Sequence, residues 1–110
     1  MTGEPAAAVP HFERAVAERP DLAFAHRELG LALGRSGQLD RADLHLRHAL
    51  EIEPDDPRAL NFLGVLLAQR GELESALAPL ERAVAIAPNY PAARENLEWV
   101  REQLDARQSD

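Results

Sequence analysis

Apolar residues recur along this chain at helical spacing, in runs about fourteen residues long, and each run but the last is closed by a glycine or a proline. Leu29, Gly30 and Leu33 mark one helix, which Gly37 ends by supplying the left-handed conformation of a C-terminal cap. Leu39, Ala42, Leu46, Ala49 and Leu50 share one face of the next helix, which Pro54 stops. The same order returns 34 residues later, with Leu63, Gly64, Leu67, Gly71, Leu73, Ala76, Leu80, Ala83 and Pro88 at matching places. Asp21, Asp55 and Asn89 each follow a proline and are placed to cap the incoming helix, while Pro57 and Pro91 fit its first turn. Asp40 and Glu74 fall in first turns, where a carboxylate meets the positive end of the helix dipole. The pattern predicts six helices, over 5–18, 22–35, 39–52, 56–69, 73–87 and 91–106.

A unit of two such helices cannot bury its own apolar stripe, so copies stack side by side. The period extends beyond the two full copies. Gly3, Ala8, Phe12, Ala15 and Pro20 lie 34 residues before Gly37, Ala42, Leu46, Ala49 and Pro54, so the chain opens on a second-type helix. Leu97 continues the series of Leu29 and Leu63, but Glu98 and Arg101 stand where the copies have Gly64 and Leu67. Charges at those positions predict a polar capping helix with nothing packed beyond it. Val9, Phe12 and Val16 stay apolar, which implies a chain cut from a longer array or a cover over that first helix.

These residues resemble the tetratricopeptide repeat, whose pattern is Leu-Gly, then Ala, a large apolar residue, Ala and Pro. In family phase the copies run 23–56 and 57–90, preceded by a half repeat over 1–20 and followed by a capping helix over 91–107 and a disordered tail at 108–110. His26 and Leu60 stand where the family often has Trp. The resemblance implies an all-α fold, a right-handed superhelix or α-solenoid of antiparallel helix pairs with about six helices. It also implies a concave groove that binds peptides or partner helices. Carried over by position, that groove presents Phe24, Arg27, Leu31 and Arg35, then Arg58, Asn61, Val65 and Gln69, and finally Glu95, Trp99 and Glu102 of the capping helix. Some members hold a peptide carboxylate with Lys and Asn. This chain has no Lys, and Leu31 and Val65 occupy groove positions, so that particular activity is not expected.

Composition narrows the partner. With 12 basic residues, all Arg, against 19 acidic ones, the formal charge of −7 opposes nucleic acid and anionic membrane surfaces. No stretch has the length and apolarity of a transmembrane helix, and residues 1–20 carry charges and prolines where a signal peptide needs an apolar run, so the expected location is the cytoplasm. Arg27, Arg35 and Arg58 beside Phe24 and Asn61 suit an acidic segment. The plainer account is a solvated surface with local ion pairs to Glu28. Trp99 is either an anchor for a partner or an amphipathic cover over the core.

Catalysis and metal binding are not expected. His45 and His48 lie three apart on one helix, and His11 holds the repeat position of His45, but equivalent positions on packed helices are roughly 8–10 Å apart. There is no cysteine, no HExxH, no GxSxG and no phosphate-binding glycine loop. The functional expectation is a noncatalytic adaptor for a peptide or helix of another protein, without cofactor. Two other readings remain open: a recruitment domain of a larger enzyme, and a unit that self-assembles as a homodimer through its first helix.

Overall fold

The computed structural model describes residues 4–109, with side chains from residue 7 onward, and Gly3 therefore lies outside it. Among the described residues all regular structure is helical, and it falls into two compact units meeting at the 54–55 boundary. The first contains α1 (Glu4–Glu18), α2 (Ala23–Arg35) and α3 (Leu39–Ile52). The second contains α4 (Pro57–Gln69), α5 (Leu73–Ile86) and α6 (Pro91–Ser109). Five of the helices end within a residue of the pattern's expectation. The last does not: residues 108 and 109, expected in a disordered tail, continue α6, and residue 110 lies outside the described range.

Glycine sets the tight turn of each helix pair. Gly37 adopts φ 85°, which a side chain would oppose. Its N–H donates to Gly34 O at 3.1 Å and that of Gln38 to Leu33 O at 2.9 Å, the paired bonds of a Schellman cap. The same two bonds recur around Gly71, and both turns fold α2 back on α3 and α4 back on α5 as antiparallel pairs.

The helix starts correct one expectation. Asp56, not Asp55, caps α4, accepting from the N–H groups of Arg58 at 3.0 Å and Ala59 at 3.4 Å. Pro57 takes the first helical position, so the cap must be the residue immediately before it, and Asp55 stands one place too early. Asp55 instead accepts a bond from Arg82. The start of α2 is likewise shifted, with Leu22 at the cap position and no side-chain bond, so Asp21 does not cap it. Asp56→Ala is expected to lower stability by about 1 kcal/mol while Asp55→Ala costs less, because only the former strips two N–H groups of their acceptor. Urea melts of the two variants check the order.

In the first unit Leu29, Leu33 and Leu46 are fully buried between α2 and α3. Val9 is buried as well, and Phe12 and Val16 are half-buried where α1 packs on α2. Phe12 sets its edge against Phe24, with centroids 6.5 Å apart. Part of the apolar face that looked uncovered is thus covered by the neighbouring helix of the same unit.

In the second unit α5 packs against both α4 and α6, and α4 also touches α6. Gly64 permits the closest approach. A Cβ there would collide with Leu80 Cγ and lie 2.8 Å from its Cδ2, inside any normal carbon contact. Leu80, 0% exposed, fills the space that the missing side chain leaves. Pro79 sits within α5 without ending it.

Candidate functional site

The face shared by α4 and α6 carries a cavity lined mostly by apolar side chains. It holds about 310 Å³ between Val65, Ala68 and Gln69 of α4 and Asn96, Trp99 and Val100 of α6, with Leu80 beneath. Val65, Gln69 and Trp99, three of the expected groove residues, are therefore brought together. Trp99 is 49% exposed and forms a wall rather than a plug. A second hollow of about 320 Å³ lies beside the same ring and reaches Gln103 and Arg107. Trp99 consequently stands between two depressions, accessible to a partner along its plane.

The cavity keeps its width because α6 is bonded to α4. Asn61 is 4% exposed, its Oδ1 accepting from Asn96 Nδ2 at 2.9 Å and its Nδ2 donating to Tyr90 Oη at 3.3 Å. Repeat position placed Asn61 on the groove face as a ligand contact. In the folded unit it is a brace beneath that face, and Asn96, which no sequence pattern singled out, is the group that reaches the cavity. Since Asn96 spends an N–H on Asn61, its carbonyl oxygen remains to accept a bond from a ligand.

Glu95 and Glu102 are exposed one helical turn before and after Trp99 on α6, with Glu98 beside it. Among the described residues, no ion pair engages any of these three carboxylates. Arg101, expected at a position of the capping face, reaches Glu81 of α5 at 3.3 Å. Arg58 is exposed at the start of α4.

The first unit presents its groove positions differently. Phe24 is 52% exposed, Leu31 half-buried and Arg35 exposed. The Arg27 guanidinium lies 5.1 Å over the Phe24 ring and pairs with Glu28 at 3.1 Å, both charged side chains being mostly covered. Arg27 is therefore already committed within its own helix.

Three histidines meet in this unit, and the set is not the one that spacing suggested. His26 of α2, 3% exposed, is the partner of His45 and His48 of α3, while His11, whose repeat position was expected to lie too far away, packs on Phe12. His26 Nε2 donates to Pro20 O at 2.8 Å, because a carbonyl only accepts. Its Nδ1 then accepts from His45 Nδ1 at 3.3 Å. His48 stacks flat on His26, centroids 4.1 Å apart and planes 7° from parallel. Burial, followed by the proximity of His26, Arg41 and His48, holds the His45 pKa below its ordinary 6.5, while Glu13 opposes the shift. The facing Nδ1 atoms point at each other and not at a common third point, which suits a hydrogen bond and not a shared ion. Among the described residues no group of three or more His, Cys, Asp or Glu side chains is arranged to hold a metal. No helix among them is long and apolar enough to cross a membrane.

Comparison with curated proteins yields no match. The solved structures do resemble the chain. YrrB, described as a TPR protein with an unusual peptide-binding site, shares 29% identity with a TM-score of 0.78 over 84% of this chain. The match covers 47% of YrrB, so this chain spans about half its length. The first TPR of Spaghetti (RPAP3), solved with the HSP90 peptide SRMEEVD, superposes with a TM-score of 0.88 at 18% identity, covering 94% of this chain and 82% of that one. Both likenesses agree with the helix pairs described above, and the fold is of the all-α solenoid class. The sequence itself matches the tetratricopeptide repeat model over residues 2–42 and 27–91, nearly the whole of the expected repeat region. The chain belongs to the tetratricopeptide repeat family.

Proposed function

We propose that the protein is a noncatalytic interaction module that takes a peptide or helix of another protein on the α4–α6 face. The cavity beside Trp99 carries this reading. Its wall is apolar at Val65, Ala68, Trp99 and Val100, and its rim is polar at Gln69 and Asn96. That division suits one apolar side chain inserted between the helices, with its peptide groups bonded to the two amides. Because Asn61, Asn96 and Tyr90 already fix the walls, little ordering entropy is lost on docking.

Charge selects among apolar anchors. The exposed Glu95 and Glu102 flank Trp99, so a Lys or Arg next to the anchor gains two carboxylates and an aromatic face. The ligand is accordingly an apolar-basic segment. An acidic segment on the arginines suits this protein less well, since Arg27 already has its partners. Peptide binding by YrrB and by the Spaghetti repeat supports the class of ligand, not its sequence. The net charge of −7 favours a protein partner over a nucleic acid.

Selection of peptides from a random display library against the full chain tests the reading. The enriched sequences are expected to pair Leu, Ile or Met with Lys or Arg. Trp99→Ala is expected to weaken the best of them by about 2 kcal/mol, roughly 30-fold, as loss of a central aromatic anchor does. Unchanged affinity in that variant would place the binding face elsewhere.

A further inference from the structure

All four histidines of the chain, His11, His26, His45 and His48, fall in the first unit, and three of them touch. The repeat provides its own control, because the second unit carries Leu60, Pro79 and Arg82 at the positions of His26, His45 and His48. Two units of one architecture thus differ in whether imidazoles join their helices.

The geometry of the three rings limits how many protons they hold. His26 has its Nε2–H committed to Pro20 O at 2.8 Å, so an added proton must go to Nδ1. That nitrogen faces Nδ1 of His45 at 3.3 Å: one proton added to the pair still leaves a donor facing an acceptor, but a second sets two donors against each other with no acceptor between them. His48 lies flat on His26 with centroids 4.1 Å apart, so positive charge on both rings would repel at contact distance. The charged groups acting on His45 are His26 from α2, Arg41 and His48 from its own helix, and Glu13 from α1. Only Glu13 favours an imidazolium there, and it is bound to Arg41 at 2.7 Å.

We propose that the His26–His45–His48 cluster is an acid-sensitive latch: neutral, it ties α2 to α3 and to the turn after α1, and its full protonation in mild acid releases the first unit. The sign follows from proton linkage. Because the folded pKa of His45 lies below 6.5, the unfolded chain takes up the proton first. The stabilisation is then complete above about pH 6.5 and is lost as pH falls through the lower, folded value. The second unit, having no histidine, does not share this loss. A chain with such a latch keeps the α4–α6 face in acid while surrendering whatever the first unit contributes.

Hydrogen exchange of the full chain, expressed as protection factors at about pH 7.5 and about pH 5, reads the two units separately. Between those values the amides of α2 and α3 are expected to lose protection by roughly tenfold or more relative to those of α4 and α5. His26→Leu gives the first unit the residue of the second and is expected to abolish the difference. His45→Gln retains an N–H donor towards His26 without a titrating ring, and decides the matter should His26→Leu fail to fold. Parallel loss in both units of the parent chain, or a differential loss that persists in the folded variants, would overturn the latch.

Discussion

Leu80→Ala is expected to destabilise the second unit by about 2–5 kcal/mol, the range for emptying a fully buried leucine site. The upper half of that range applies here, because two features prevent collapse into the void. The side chain opposite is absent, since Gly64 contributes only backbone, and the Asn61 bonds fix α6 in place on α4. Leu80 also lies beneath the α4–α6 cavity, so its loss deepens the pocket. Denaturant unfolding of the variant gives the cost. Adding Gly64→Ala in the same chain is expected to recover part of it, as the new methyl points into the vacated volume. In the parent chain the same Gly64→Ala change meets Leu80 and is not rescued by the roughly 1 kcal/mol of helix propensity gained. The double-mutant cycle therefore has an interaction energy of opposite sign to the single changes.

Asn61→Ala is expected to cost about 2–3 kcal/mol. The change removes both hydrogen bonds of a nearly inaccessible side chain and leaves the Asn96 amide and the Tyr90 hydroxyl, each half-buried, to find water. Asn61→Leu is milder because it fills the volume, although it strands the same two partners. Both variants free α6 from α4, so their effect reaches ligand binding without any contact to the ligand. Calorimetric unfolding together with peptide affinity separates the two: a stability loss accompanied by weaker binding identifies the brace, whereas a loss of binding alone would make Asn61 a direct contact.

Repeat phase made the helices legible because it reports on which face a residue stands. Gly37, Pro54 and their counterparts punctuate the chain where steric rules allow nothing else, and the Schellman bonds follow from the glycines. Depth on a face is a different property. Asn61 and Arg27 share a repeat position, yet one is buried under Tyr90 and the other lies along Phe24, since the outcome depends on neighbours that the period does not specify. The histidines show the same limit from another direction. Equivalence by repeat compared His11 with His45, on two like helices, and found them too far apart, whereas the partner inside a helix pair comes from the unlike helix, and His26 occupies that place. A histidine at a position usually filled by a large ring was the available signal. The tail failed for a local reason: no glycine or proline follows residue 91, so nothing in the chain stops α6 before Ser109.

The packed pairs within each unit have a consequence for how the chain acquires its structure. α1 meets α2 and α2 meets α3; α4 meets α5 and α5 meets α6; and the α4–α6 contact is the most distant in sequence. Native contacts of such short range cost little loop-closure entropy, which puts each unit in the class that folds within microseconds to milliseconds. The Asn61–Asn96 bond spans 35 residues, further along the chain than the other side-chain hydrogen bonds described. By that argument it is expected to form late, which makes the proposed binding face the last part of the second unit to be completed.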